Sequence, residues 1–434
     1  MQTRFFVGLL MVLVLALGVA ACGAGEEAAP TEPAATEPEA PAEEPAGTEA
    51  PGEQPPAPAG AADLDAILAV DLANCQEPSG EPLIIGYAAD LSDLGGFADV
   101  PGSEAAQFMA DLINCAGGVN GTPIEVIVQD IQGDPEVTQR AARDLIDAGA
   151  DVILGPPFAD FGAPLLQVTA GQVPVLFVSS TEPTLADIEN LAFLVTFDDT
   201  KQATVAAEFA IQQGYKTAVT FSSPGPYFGY NPEVFTKVFE EMGGKVLGDF
   251  TFDLADTDFS TQVNKLANLG ETPDVLYTAM VMPLIATLIG QIHGAGIQTP
   301  EDMAVIGADA FDATRIIDVP EAAEGTYYTT HGFPGEGTPM KAFLDKFEQE
   351  QGRPLETVSF GALAGDAVLL AADAFARAGV ADPAAIGEAL KEASGVPVVT
   401  GTVSYAGTDG VPEKPVYIHQ IVGGEITLAG TVGG

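Results

Sequence analysis

The chain has 434 residues, of which 62 are acidic and 15 are basic, so its formal net charge at pH 7 is −47. A surface this acidic argues against nucleic acid and anionic lipid as binding partners. About 370 residues follow a low-complexity N-terminal stretch, which is too many for one compact core and suits two lobes.

The N-terminus has the pattern of a secretory signal. An apolar run over residues 5–19 follows a single basic residue and is too short for a comfortable bilayer span. It ends in Val-Ala-Ala-Cys at residues 19–22, which resembles a bacterial lipobox, in which the leader is cut before an acylated cysteine. We predict a signal peptide over residues 1–21 and a lipid anchor on Cys22, at the outer face of the cytoplasmic membrane. The alternative is an ordinary signal with an incidental cysteine.

Residues 22–62 are predicted to form a stalk. From residue 23 they are almost entirely Ala, Glu, Pro, Gly and Thr, without a single Lys or Arg. Such a segment buries too little apolar surface to offset its conformational entropy and is expected to stay disordered. No second apolar run of eighteen or more residues is expected after it.

Two further cysteines, Cys75 and Cys115, remain if Cys22 is lipidated. In an oxidising compartment they are expected to form a disulfide. Two buried thiols that pack as small hydrophobic groups are the alternative.

Strands and helices alternate through the rest of the chain. A Gly-rich loop is predicted at residues 91–102, and Asp134-Pro135 is expected to cap a helix. This alternation predicts βαβ units, and two such runs predict an α/β protein with two doubly wound, Rossmann-like lobes. The predicted strands cover residues 83–88, 124–130, 152–154, 173–178, 217–222, 245–252, 275–278 and 304–306, with helices at 105–113 and 134–148 and after Pro164, Thr200, Pro232, Phe259 and Pro283.

An ordered set of motifs resembles the type I solute-binding proteins, the branched-chain amino-acid-binding components of ABC importers. The N-terminal part carries Ile-Asn-Cys-Ala-Gly-Gly-Val-Asn-Gly at 113–121, followed by Asp130 and Gly155. The C-terminal part agrees through Gly-Asp-Ala-Val at 365–368, Gly-Thr-Val-Ser-Tyr at 401–405 and a final Gly-Gly hairpin.

The resemblance implies three chain crossings that form a hinge between closing lobes. The implied boundaries are 63–199 plus 332–400 for lobe one and 200–331 plus 401–434 for lobe two, with crossings near 198–201, 330–332 and 400.

Lobe one is expected to hold the ligand's carboxylate. Ser179, Ser180 and Thr181 follow a strand and match the family's second carboxylate-binding loop, although turn capping is an alternative. Asp160 and Phe161 lie in a loop predicted at residues 155–162, after a strand, and stand where relatives carry hydroxyls. Because an aspartate would repel a carboxylate, either Asp160 points away or the ligand is not a plain α-amino acid.

Lobe two is expected to cover the ligand and to bind its ammonium group. Tyr227, with Tyr230 in reserve, stands where relatives place a tyrosine over the ligand. Asp309 resembles the acid that pairs with the α-ammonium. Met280 stands where relatives often have an aromatic residue, with core packing as an equal alternative. The Gly95-Gly96-Phe97 segment should border the cleft from lobe one.

No enzymatic constellation is apparent. The three histidines, His293, His331 and His419, lack the spacing of a metal site or a triad, and only His331, at a predicted crossing, is placed where it could reach the cleft. We therefore predict a lipid-anchored, monomeric substrate-binding protein without a cofactor, which delivers an amino acid to ABC permease and ATPase subunits. An amide, urea or another solute is the first alternative, and a tethered sensor or interaction module is the second.

Overall fold

The computed structural model describes residues 63–433, apart from 77, 93 and 313–318. The predicted signal peptide, Cys22 and the predicted stalk lie outside the described residues. The strands are β1 (Leu83–Ala89), β2 (Ile124–Asp130), β3 (Val152–Gly155), β4 (Val175–Phe177), β5 (Ala192–Leu194), β6 (Thr217–Ser222), β7 (Lys245–Thr251), β8 (Val275–Thr278), β9 (Ala304–Gly307), β10 (Tyr327–Thr330), β11 (Val396–Val398), β12 (Gly401–Val403), β13 (Val416–Val422) and β14 (Glu425–Val432).

Helices connect these strands. They are α1 (Leu64–Leu68), α2 (Gly96–Cys115), α3 (Pro135–Asp147), α4 (Ala159–Thr169), α5 (Asp199–Gln212), α6 (Pro226–Glu241), α7 (Ser260–Ala267), α8 (Leu284–Gly294), α9 (Pro320–Ala323), α10 (Pro339–Gln351), α11 (Val358–Ala378) and α12 (Pro383–Lys391).

Lobe one is built on a five-stranded parallel sheet of order β2-β1-β3-β4-β5. Apart from the edge strand β2, its strands are nearly continuous apolar runs, as expected when helices cover both faces of a parallel sheet. One face carries α2 together with α10, α11 and α12, which return from the far end of the chain.

Helix α11 is the central helix of this core. By length and composition it could cross a bilayer, but 94% of its most apolar 18-residue stretch is buried inside the protein, as in the core helix of a globular domain. This helix does not contradict the prediction of no second uninterrupted apolar run, because charged residues divide its sequence. Asp366 and Asp373 interrupt the run in the sequence, yet both are buried and paired with basic side chains.

Lobe two is built on a seven-stranded sheet of order β14-β13-β10-β9-β8-β6-β7. Strands β6 to β10 run parallel, while β13 and β14 add an antiparallel edge. The predicted fold class, α/β with two doubly wound lobes, is confirmed. Since all strands from β6 to β10 end at one edge, the polar residues that follow them are brought together there.

The third crossing falls later than expected. Strands β11 and β12 form a separate two-stranded sheet, and Val403 and Tyr405 pack into the core of lobe one. The Tyr405 hydroxyl donates to the Leu194 carbonyl at 2.7 Å. The segment from residue 401 to Tyr405 thus lies with lobe one, not lobe two, because its apolar side chains fill the gap beside β5. The chain reaches lobe two only before β13.

Two segments predicted as loops belong to helices. Helix α2 begins at Gly96 and contains Pro101, and α4 begins at Ala159 and contains Pro164. Glycine and proline usually signal loops, but each of these prolines is the sixth residue of its helix, and its missing N–H removes only one intrahelical hydrogen bond. Likewise, α6 begins at Pro226 rather than near Pro232, so Tyr227 lies in its first turn.

Candidate functional site: a cleft between the lobes

A cavity of about 90 Å³, partly open to solvent, lies where the carboxyl ends of strands in both sheets face each other. This is the expected position for a ligand in doubly wound folds. Its lining residues are Phe97, Ala98, Pro157, Phe158, Ala159, Asp160, Ser179, Ser180, Thr181, Glu182, Asp199, Pro224, Gly225, Pro226, Tyr227, Phe228, Leu254, Asp309, Ala310 and Phe360.

The lobe-one wall contains the three hydroxyl residues that the sequence singled out. Ser179, Ser180 and Thr181 follow β4, line the cavity and are all buried. The Ser179 Oγ is buried without a hydrogen-bond partner among the described residues. An unpaired buried hydroxyl is costly, so this oxygen is available to hydrogen-bond a polar group that enters the cavity.

Asp160 and Phe161 have different environments. Asp160 lines the cavity and is exposed, in the first turn of α4. Phe161 is only 4% exposed and packs in the core beneath the sheet with Leu165 and Phe177, so it does not line the cavity. Its predicted role in the cleft was wrong, since residues 161 and 165 fall on the buried face of a helix rather than in a loop.

Tyr227 and Asp309 form the lobe-two wall and are joined to each other. The Tyr227 hydroxyl donates to Asp309 Oδ1 at 2.8 Å and accepts from the Ala310 N–H at 3.1 Å. Burial, with the neighbouring Asp309 carboxylate, holds the pKa of Tyr227 well above its ordinary value. The phenol therefore stays protonated and fixes the orientation of Asp309.

His331 holds the other oxygen of Asp309. Its Nε2 lies 3.0 Å from Asp309 Oδ2, and its ring stacks on Phe197 with centroids 4.0 Å apart. Burial lowers the pKa of His331, so the ring is neutral near pH 7 and Nε2–H donates to the carboxylate. His331 itself does not line the cavity, so it acts on the site through Asp309.

Met280 and Tyr230 do not reach the cavity. Met280, the second residue after β8, is fully buried and packs in the core of lobe two between the sheet and its helices. The alternative of core packing holds. The Tyr230 hydroxyl lies 3.1 Å from the Thr200 hydroxyl, outside the cavity lining.

Asp199 is the functional candidate that the sequence did not reveal. It is fully buried at the start of α5, where the chain enters lobe two. Its Oδ1 accepts from Thr181 Oγ1 at 2.7 Å, Gln202 Nε2 at 2.7 Å and Asn231 Nδ2 at 2.8 Å. Its Oδ2 has no partner among the described residues, although the residue lines the cavity.

The surroundings of Asp199 favour its protonated form. Burial, followed by repulsion from Asp309, raises its pKa from 3.8 to about 8, against three hydrogen bonds that lower it. The available signal in the sequence was the pair Asp198-Asp199 at a predicted crossing. Only one acid can cap the helix, and Asp198 does so by accepting from the Lys201 N–H at 2.7 Å.

Four phenylalanines complete the cavity wall. We call Phe97, Phe158, Phe228 and Phe360 the phenylalanine cluster. Its centroids are 6.2 Å apart for Phe97 and Phe158, 5.7 Å for Phe97 and Phe360, and 6.2 Å for Phe158 and Phe228. Only Phe97 was anticipated, as part of the segment bordering the cleft.

The predicted disulfide is not formed in this structure. Cys75 is a free thiol, and the Cys115 thiol donates to the Asp71 carbonyl at 3.6 Å. Both residues are half-buried, and the short helical turn before Cys75 packs against α2, which ends at Cys115. The bond itself remains a prediction, which counting titratable thiols in the purified, non-reduced protein would test.

No cluster of three or more metal-ligating side chains occurs among the described residues. Two lobes that enclose a small cavity lined by unpaired polar atoms define a solute-binding protein. The chain matches the family described as periplasmic binding protein over residues 82–425 and belongs to that family. The predicted membership of the periplasmic solute-binding proteins is thereby confirmed.

Relatives agree with this placement. A Leu/Ile/Val-binding protein of Rhizobium johnstonii is 26% identical over 75% of this chain and 87% of its own length. A leucine-, isoleucine-, valine-, threonine- and alanine-binding protein of Pseudomonas aeruginosa is 27% identical over 64% of this chain and 74% of its own length.

Solved structures share the fold. The branched-chain amino acid transporter substrate-binding protein of Streptococcus pneumoniae, in complex with isoleucine, superposes with a TM-score of 0.72. It is 24% identical and covers 82% of this chain and 100% of its own. An ABC transporter solute-binding protein of R. palustris in complex with benzoate has a TM-score of 0.70, 19% identity and coverage of 81% and 96%. These relatives are solute-binding proteins and not enzymes.

Proposed function

We propose that this protein is the lipid-anchored substrate-binding component of an ABC importer and captures an α-amino acid between its lobes. The observation that carries the proposal is the pair of buried, unpartnered polar atoms in one cavity, Ser179 Oγ on lobe one and Asp199 Oδ2 at the first crossing. A hydroxyl on one side suits the carboxylate of an amino acid, and on the other side the carboxyl group of Asp199 suits its ammonium group, beside which it would ionise.

The ligand's carboxylate would lie at Ser179, Ser180 and Thr181, at the end of β4. Backbone N–H groups and hydroxyls at a strand end suit an anion. The exposed Asp160 lies on the same side of the cavity, so its carboxylate is free to stay in solvent, away from the ligand. Its presence therefore does not require a ligand without a carboxylate.

The ligand's ammonium group would lie between Asp309 and Asp199. Both oxygens of Asp309 already accept one hydrogen bond, from Tyr227 and His331. A carboxylate oxygen can accept a second bond, and an ammonium group has three N–H donors to share among such oxygens. Charge-assisted hydrogen bonds of this kind contribute about 1.5–3 kcal/mol each.

A thermal-shift screen tests the ligand class. The chain without its leader, carrying Cys22→Ser so that no acyl chain is added, would be melted with each α-amino acid, amides, urea and small organic acids. An α-amino acid at about a hundred times its dissociation constant should stabilise the protein by about 2.7 kcal/mol. Ser179→Ala and Asp309→Asn should weaken that shift. A response to amides or urea alone would contradict the amino-acid ligand.

The lipid anchor and the role in import need separate tests. The full chain expressed in a bacterium should incorporate labelled palmitate and sediment with membranes, whereas Cys22→Ser should do neither. For import, the loaded protein should stimulate ATP hydrolysis by its permease and ATPase subunits in proteoliposomes. A protein that binds an amino acid but leaves that rate unchanged would be a sensor rather than an import component.

A further inference from the structure

The phenylalanine cluster gives the cavity an apolar side that the two ends of an amino acid do not use. Phe97, Phe158 and Phe360 come from lobe one, at the starts of three different helices, and Phe228 comes from the first turn of α6 in lobe two. Phe158 and Phe228 meet across the cleft with an interplanar angle of 35°. A bound group beside them would be enclosed by aromatic rings of both lobes.

The charges in the cavity have one sign. Among the described residues, the ionisable side chains that line it are the acids Asp160, Glu182, Asp199 and Asp309, and no Lys, Arg or His is among the lining residues described. An anion without a positive group would add a negative charge that these side chains cannot compensate. Such a site selects against that ligand by repulsion.

We propose, resting on the function proposed above, that the natural ligand combines an ammonium group held by Asp199 with an aromatic tail held in the phenylalanine cluster. Aromatic rings prefer offset or edge-to-face contacts at centroid separations of about 4.5–7 Å. The rings of the cluster are already spaced in this range, so a guest ring would find edges and faces on several sides. Each such ring pair adds about two- to tenfold in affinity over an aliphatic group of equal area.

The contributions of the ammonium group, the carboxylate and the aromatic tail can be separated by measuring the affinity of the unlipidated chain for four compounds by calorimetry. They are L-phenylalanine, 2-phenylethylamine, which lacks the carboxylate, 3-phenylpropanoate, which lacks the ammonium group, and L-alanine, which lacks the tail. We expect L-phenylalanine to bind at least tenfold more tightly than L-alanine. 2-Phenylethylamine should bind detectably, and 3-phenylpropanoate should not bind.

The protein side is tested by Phe158→Ala, with Tyr215→Ala as the control. Tyr215 is an aromatic residue of similar exposure that lies before β6, at the opposite edge of the sheet from the cavity. Phe158→Ala should lower the affinity for L-phenylalanine about tenfold and change that for L-alanine less than twofold. Tyr215→Ala should change neither.

A proton measurement tests the ammonium contact independently of the tail. The titratable groups around Asp199 are Tyr227, Tyr277 and Asp309, with His331 behind Asp309. An ammonium ligand should drive a proton from Asp199, so calorimetry at pH 7 in buffers of different ionisation enthalpy should show proton release. If Asp199 kept its proton for a ligand carboxylate, 3-phenylpropanoate would bind without release, and the ammonium contact would be overturned.

The outcomes distinguish this proposal from the broader one. If leucine or alanine binds as tightly as phenylalanine, the claim that the ligand has an aromatic side chain is overturned, while the proposed amino-acid-binding function stands. If no amino acid binds, the proposed function fails and this inference fails with it.

Discussion

Two buried aspartates lie where the chain passes between the lobes, and they differ in their partners: one is paired with a buried lysine and the other has no cation beside it among the described residues. Asp366, on α11, pairs with the ammonium group of Lys414 at 3.2 Å, and both side chains are completely buried. Thr400 donates its N–H at 3.1 Å and its hydroxyl to the same carboxylate. Asp199 has hydrogen bonds to only one oxygen and, among the described residues, no cation beside it.

This difference indicates a structural role for Asp366 and a ligand-binding role for Asp199. Lys414 also donates to the Val195 carbonyl at 3.1 Å, so the Asp366 pair connects lobe one with the first and third crossings. Its charge is compensated inside the protein. Asp199 has no cation beside it among the described residues, and its pKa of about 8 keeps it mostly protonated at pH 7. Its second oxygen has no hydrogen-bond partner there although the residue lines the cavity, and because the ionised form would be costly without a positive partner, we relate this acid to ligand binding.

Breaking the compensated pair should give the largest effect. Asp366→Ala leaves the Lys414 ammonium buried without its carboxylate, and removing one partner of a buried pair costs about 3–5 kcal/mol. Urea unfolding at pH 7 should show this loss. The double variant Asp366→Ala, Lys414→Met removes both charges and should recover most of it. A single variant as stable as the unaltered protein would show that the pair does not hold the crossings.

The two carboxylates also show how far the sequence predicts the structure. Buried apolar runs set the strands, and residues within three positions of a strand end, such as Ser180 and Asp309, could be placed in the cleft. Asp199 and Phe158 could not, because they lie at helix starts whose side-chain directions depend on how the two lobes pack. The glycines and prolines within 91–102 and 155–162 concealed those helix starts.

Replacing Asp199 by a neutral residue should raise the stability of the fold, whereas replacing Asp366 should lower it. In the unfolded chain Asp199 ionises near its ordinary pKa of 3.8, whereas in the folded protein its pKa is about 8. Between these values the folded state binds the extra proton, so the stability of the unaltered protein falls as pH rises from about 4 to 8. Asp199→Asn removes this penalty. The melting temperature of the variant minus that of the unaltered protein should grow as the pH rises from about 4 to 8. Above about pH 8 this difference should stay constant.

The same variant should lose ligand binding. The neutral amide that Asp199→Asn introduces cannot form a charge-assisted bond, which is worth about 1.5–3 kcal/mol, so affinity should fall about tenfold to hundredfold. Asp160→Asn is the matched control, since it removes an equal charge from the exposed side of the cavity. It should alter neither the pH dependence of melting nor the affinity by more than about twofold. Equal effects of both variants would mean that only the net charge of the cavity matters.

Tyr227 should show the smallest effect, because it acts through Asp309 as well as covering the ligand. Tyr227→Phe keeps the ring but removes the hydroxyl that donates to Asp309 and accepts from Ala310. Each such hydrogen bond contributes about 0.5–1.5 kcal/mol, which predicts a loss of affinity of roughly fivefold. If the hydroxyl serves only to orient Asp309, Tyr227→Phe should weaken binding no further in an Asp309→Asn background. Full additivity in that double-mutant cycle, measured by calorimetry, would instead place the hydroxyl directly on the ligand.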